Sequence, residues 1–347
     1  VPFGIDAGVF GESKVRTVNE RVGIQQEQLF IFSHKNKYRL KKIIISNGWL
    51  RSNSIVAIIS YLLNTNLNTK KMRVLFSFFM VGFTSVVFGQ NYSGDSWAKV
   101  KAAGSGTLTV VYYEQPGLIY EEGGKVKGAC ADILTDFVNF VQTKHGKKIT
   151  LNYAGKEPVF TNFLQVTQNT KDILGVTNVT ITEERKKILK FTPPFLSNPV
   201  VLLTHKDAPN VLSFSEIGTK LAGYSAEVIG GSTHVKHIEK IKKENMPGLK
   251  ISYGSNGPEI LKKISTNPKL FTILDFTEYV DATRKNLPVK RQNLNFGEAE
   301  ELAFVMAKSS DWDEIWREFL TPDYRKGVRY RKIMADNLGP TFLSILK

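Results

Sequence analysis

The residues best suited to chemistry lie in three short stretches. The first holds Thr177, Asn178, Thr180, Thr182 and Arg185, at and just beyond a β-rich run, DILGVTNVTIT, from Asp172 to Thr182. A guanidinium is a planar fork of donors that meets a carboxylate with two parallel hydrogen bonds, and neighbouring threonine hydroxyls can complete such a grip. Residue types alone leave a plainer reading open, because Glu183 and Glu184 adjoin Arg185 and would pair with it on the surface. The second stretch is Gly231-Ser232-Thr233, preceded by Gly230 and followed by a helical pattern. Exposed N–H groups and the positive dipole end suit an anion there, and a Ser/Thr helix cap fits the same residues. A phosphate loop does not, since no Lys-Ser/Thr ending follows. The third is Asp275, after the short apolar strand Phe271–Leu274, as a carboxylate at a strand end or a cap for the helix carrying Glu278.

Other reactive types carry less. His234 and His237 sit at i and i+3 of one helical pattern, but the spacing brings no third ligand, so no metal site is expected. Cys130 is the single cysteine and lies inside a helical apolar pattern, as a small buried hydrophobe does; it has no internal disulfide partner. Glu114 and Glu157 are available acids outside any catalytic motif.

These residues need rigid elements to hold them. Leu108–Tyr113 reads as a β-strand that ends in Tyr112, Tyr113 and Glu114, and EEGGK at 121–125 reads as a hairpin turn. Ile133, Phe137, Phe140 and Val141 form a helical face within 131–143. Strand-like KITLNY (148–153), a helix over 160–166 and the run ending at Thr182 complete one α/β alternation. The second half repeats it. Strands are expected over 220–229, 249–253, 271–274 and 301–307, and helices after Thr233, over 258–264 and over 312–319. Two α/β units in succession imply two lobes with a cleft between them.

The formal charge of +15 would suit a nucleic-acid or anionic-surface partner, but it divides into +8 over residues 1–89 and +7 over the rest. In the latter part, Lys and Arg alternate with acids as a solvated surface does, and no nucleic-acid partner is expected. The first methionine is Met72, flanked by Lys70, Lys71 and Arg73; the uncharged run VLFSFFMVGFTSVVF follows and ends at Gly89. That is the layout of a secretory signal peptide over 72–89, with residues 1–71 a spurious or disordered upstream extension. The expected location is therefore periplasmic or secreted.

The segment Val179–Phe195, VTITEERKKILKFTPPF, resembles the signature of the type 2 periplasmic solute-binding proteins that bind amino acids, the bacterial extracellular solute-binding protein family 3. Four further landmarks fall in the same order: the strand at Leu108, Gly128-Ala129-Cys130-Ala131-Asp132, Gly231-Ser232-Thr233 and Asp275. The likeness spans about residues 100–335. It implies an α/β fold of two lobes, each a central mixed sheet flanked by helices, with the ligand between them. Lobe one would comprise 99–199 plus 297–347 and lobe two 205–290, joined by crossover strands near Val200–Thr204 and Lys290–Phe296.

By the same resemblance Arg185 grips the ligand's α-carboxylate with Thr180 and Thr182, and the Gly231, Ser232, Thr233 turn closes on the ligand from lobe two. Asn178 and Thr177 lie near its amino group, Asp275 binds that amino group from lobe two, and Tyr112, Tyr113 and Glu114 border the side chain. The aromatic expected ahead of the helix near Phe160 is replaced by Glu157-Pro158. The implied function is capture of an amino-acid-like zwitterion by a monomer for the membrane permease of an ABC transporter, with no cofactor and no enzymatic step. A dehydratase-like enzyme on the same scaffold and a sensor or cell-wall-fragment binder are the alternatives.

Overall fold

The computed structural model describes residues 92–343 together with three short strands, Val15–Val18, Gln25–Gln28 and Ile44–Ser46. Those three form a small antiparallel sheet in a unit of their own, Val1–Phe88. The signal peptide expected over 72–89 lies outside the described residues, as does most of 1–71. Among the described residues no helix is long and apolar enough to cross a membrane.

Gly89–Lys347 forms the second unit, built on two mixed sheets. In the first, Lys148–Lys156, Ser105–Tyr112 and Ile173–Thr180 run parallel side by side, and Glu300–Ala307 joins them antiparallel. Leu189–Phe191 and Leu196–Asn198 pair with that last strand. All eight residues of Ile173–Thr180 are buried, the pattern of a strand covered on both faces. The helices Ala129–His145 and Phe160–Asn169 make the connections between the parallel strands. Tyr120–Glu122 and Lys125–Lys127 form the expected hairpin, turned by Gly123 and Gly124 at φ +59° and +72°.

In the second sheet Lys250–Gly254, Ser225–Ile229 and Leu270–Asp275 are parallel, and Val200–His205 pairs antiparallel with the last of these. Strand alternation feeds two layers. Phe271 and Ile273 pack with Ile238 and Ile241 of the helix His234–Glu244. Leu270 and Leu274 face the layer holding Ile260, Leu261 and Ile264 of the helix Gly257–Thr266. The chain passes from the first sheet to the second at Pro199, between Leu196–Asn198 and Val200–His205, and returns between Arg291 and Glu300. Val200–Thr204 is thus itself a strand of the second sheet.

The strand expected over 220–229 is shorter. Ile217–Lys220 forms a helical turn, Gly223 reverses the chain at φ +77°, and the strand begins only at Ser225. Cys130 is buried in Ala129–His145, as its apolar surroundings implied.

Candidate functional site

Tyr112, Lys156, Thr180, Ile229, Gly254 and Asp275 are the last residues of the parallel strands of both sheets. Ligand clefts of open α/β sheets form outside such carboxyl ends. Here the two sets of ends face one another, and the cavity between them is lined by Tyr113, Gln115, Phe160, Asn178, Thr180, Arg185, Ile229, Ser232, Thr233, His234, Asp275 and Glu278.

Arg185 is held by its own helix. Thr182 caps Glu183–Ile188 by accepting from the Arg185 N–H at 3.2 Å. The guanidinium then turns back, donating from Nη1 to the Thr180 carbonyl at 3.0 Å and from Nη2 to the Gly231 carbonyl of the other sheet's loop at 3.1 Å. Phe160 lies 5.4 Å beneath it, ring centroid to guanidinium carbon. Burial pulls the guanidinium below its ordinary pKa, against the charges of Glu300, Asp275 and Glu184.

Asp275 ends its strand and caps the helix Phe276–Arg284 in a capping box with Glu278, whose Oε2 accepts from the Asp275 N–H at 3.2 Å. Its Oδ2 accepts from the Asn178 amide across the cleft. Its Oδ1 stands 3.4 Å from His234 Nε2, and both side chains are 5% exposed. Burial, then the charge of Asp275, pushes Glu278 up to about 8, against the pull of His234. Burial opposes protonation of His234, but Asp275, Glu300 and Glu278 outweigh it and raise the imidazole's pKa.

Glu300 completes the ring of charge from the start of Glu300–Ala307. Its Oε2 accepts from Thr180 Oγ1 at 2.5 Å and from Thr233 Oγ1 at 3.0 Å. Burial pushes this carboxyl up, but His237, the two hydroxyls and the charge of His234 prevail and bring it down to about 2.

The cleft is shut. Besides the Arg185–Gly231 and Asn178–Asp275 bonds, Tyr113 donates its hydroxyl to the Ser255 carbonyl at 2.7 Å, and the hydroxyls of Thr180 and Thr233 meet at 3.3 Å. The space left between the walls is about 20 Å³, room for roughly one water. A second cavity of about 640 Å³ adjoins it at Tyr113, lined by Glu114, Glu157, Lys156 and Arg284 among others.

Of the residues singled out in the sequence, Arg185, Thr180, Asn178, Ser232, Thr233, Asp275 and Tyr113 line the small cleft, and Gly231 contributes its carbonyl. Thr182 serves as the helix cap. Thr177 is fully buried and bonds to Asn178 Oδ1 at 3.0 Å. Tyr112 falls on the other side of its strand, against Tyr153. Glu114 pairs with Lys156 at 3.2 Å beside the larger cavity. His234 was visible only as half of a histidine pair, and Glu300 stood inside an acidic run, 298–301, with no motif around it. Phe160, three residues after Glu157, puts an aromatic ring on the cleft wall beneath Arg185.

No family model matches the chain, and no curated protein matches it by sequence. Solved structures do. An ancestral arginine-binding protein bound to glutamine is 21% identical, with a TM-score of 0.53 over 67% of this chain and 98% of that one. A putative L-cystine ABC transporter protein from Listeria monocytogenes is 20% identical, with a TM-score of 0.55 over 68% and 97%. An ancestral amino-acid-binding protein, a precursor of cyclohexadienyl dehydratase, is 19% identical, with a TM-score of 0.54 over 70% and 98%. At such identities the likeness establishes architecture: this chain has the two-lobed fold of the type 2 periplasmic binding proteins.

Proposed function

We propose that this protein is a solute-binding protein that captures a small amino-acid-like zwitterion by closing two lobes around it. The observation that carries this reading is the placement of Arg185 and Asp275 on opposite walls of one cleft, the first suited to a carboxylate and the second to an ammonium. The ligand's carboxylate docks on Arg185 and takes over the hydroxyls of Thr180 and Thr233 that Glu300 now holds. Its ammonium meets Asp275, with Asn178 orienting that carboxylate. A cleft of about 20 Å³ is too small for an amino acid, so the lobes part to admit one and close again on it. The solved structures named above, as amino-acid binders, support such a role. We further infer export to the periplasm or exterior and delivery to the membrane permease of an ABC importer, with no reaction at the site.

The rival reading is an enzyme on this scaffold, favoured by the buried acid Glu278 beside His234. Glu114 and Glu157 serve it poorly, because Glu114 is paired with Lys156 and Glu157 accepts from the Tyr92 hydroxyl at 2.9 Å. Thermal-shift screening against the proteinogenic amino acids, followed by calorimetry, tests the binding reading. At least one should raise the melting temperature at millimolar concentration, and Arg185→Ala should abolish that shift while leaving the circular dichroism spectrum intact. No shift from any of them, or full affinity in Arg185→Ala, would overturn it. Turnover of a bound ligand would favour the enzyme instead.

A further inference from the structure

His234 opens the helix His234–Glu244 and points its ring at the end of the strand Leu270–Asp275. It is 4% exposed, yet neither ring nitrogen has a hydrogen-bond partner. Asp275 is equally buried and likewise leaves Oδ1 without one. Buried polar atoms are almost always partnered, so two adjacent residues with orphaned atoms require an explanation. A histidine–aspartate contact would account for Nε2 and Oδ1 alone. It would not account for Glu300, which arrives from the other sheet so that one donor atom from each of the three residues lies within 4.8 Å of the other two.

The surroundings are those of an oriented ligand set. Asn178 donates to Asp275 Oδ2, which fixes that carboxylate with Oδ1 turned toward His234 Nε2 at 3.4 Å. Thr180 and Thr233 both donate to Glu300 Oε2, while His237 Nε2 stands 3.9 Å from its Oε1, so that carboxylate too is held in place. Hydrogen bonds of this kind hold carboxylates in position for a metal. Tetrahedral coordination with bonds of about 2.1 Å separates ligand atoms by roughly 3.4 Å, and His234 Nε2 and Asp275 Oδ1 are 3.4 Å apart.

We propose that His234, Asp275 and Glu300 form a site for a divalent transition-metal ion of the zinc class. One imidazole nitrogen with two carboxylate oxygens suits zinc, whereas calcium and magnesium favour all-oxygen sets. Two carboxylates balance the ion's charge, and the adjoining space of about 20 Å³ leaves room for one water as a fourth ligand. Glu300 belongs to the first sheet, and His234 and Asp275 to the second-sheet lobe, so the ion staples the cleft shut. Arg185, close enough to feel both carboxylates, opposes it. The site goes beyond amino-acid capture but shares Asp275 with it, so zinc and amino acid exclude one another.

The test uses the full chain, stripped with chelator and free of any histidine tag. Zinc chloride is titrated by calorimetry, with cobalt(II) as a spectroscopic probe. One equivalent of zinc should bind, with cobalt giving the visible bands of a low-coordinate site. His234→Gln and Glu300→Gln should each weaken zinc at least tenfold with an unchanged circular dichroism spectrum. Glu300→Gln, nearly isosteric and only half-buried, serves as the second variant should His234→Gln fail to fold. Arg185→Met should bind zinc at least as tightly while losing amino-acid binding, which separates failure of one reading from failure of the other. Absence of a one-equivalent site, or unchanged zinc affinity in both ligand variants, would overturn the proposal.

Discussion

Arg185 Nη2 donates to the carbonyl of Gly231 at 3.1 Å, so the residue suited to a carboxylate already ties one wall of the cleft to the other. Gly231 can present that carbonyl because its backbone sits at φ +77°, a conformation costing other residues about 1–2 kcal/mol. A Cβ there would also stand 2.5 Å from Thr161 Cγ2 on the opposite wall. Gly231→Ala should therefore oppose closure more than it opposes folding. Small-angle scattering should report a larger radius of gyration, and ligand affinity should fall about tenfold, equivalent to about 1.4 kcal/mol. An unchanged radius would sink this account of the glycine.

Replacing Arg185 by lysine tests geometry apart from charge. Lysine keeps the positive charge but loses the fork that reaches the Thr180 and Gly231 carbonyls together. Charge-assisted hydrogen bonds contribute about 1.5–3 kcal/mol, so Arg185→Lys should weaken ligand by roughly tenfold to a hundredfold. Calorimetry reads this directly. Wild-type affinity in the variant would mean that charge alone anchors the ligand.

Stability should carry the imprint of Glu278. Its carboxyl is raised from 4.5 to about 8, so between those values the folded protein keeps a proton that the unfolded chain has released. The group's contribution is full in acid and is lost as pH rises through about 8. Melting temperatures measured in chelator should fall over that window, and Glu278→Gln should flatten the decline. Glutamine preserves the capping box with Asp275, which isolates the proton's effect. Parallel curves for the two proteins would contradict the assignment.

The sequence exposed Arg185 and Asp275 through local runs, Thr180–Arg185 and a short strand ending in a carboxylate. It did not expose Glu300, because nothing near that residue in the chain marks it; only the antiparallel pairing of Glu300–Ala307 with Ile173–Thr180 brings it to Thr180. Tyr112 and Tyr113 show a different limit. Both are buried aromatics, one ending and one just following a strand apolar on both faces, so composition could not say which faces the cleft. The structure orients Tyr113 inward, with its hydroxyl on Ser255. Gly223 shortened a strand that apolar composition alone had extended to residue 220, since its positive φ requires a turn.

An aromatic pair joins two helices of the lobe carrying Arg185. Phe137 stacks on Trp316 with ring centroids 4.0 Å apart and planes within 5°, joining Ala129–His145 to Asp313–Phe319. Trp316 is fully buried, and its indole N–H has no hydrogen-bond partner. The ring is therefore held by packing, which separates two substitutions. Trp316→Ala opens a cavity and should cost about 3–5 kcal/mol. Trp316→Phe keeps an aromatic against Phe137 and removes the orphaned donor, so its cost should stay within about 1–3 kcal/mol. Urea unfolding measures both. Equal losses would mean that the indole N–H has an essential partner, and packing would no longer explain the stack.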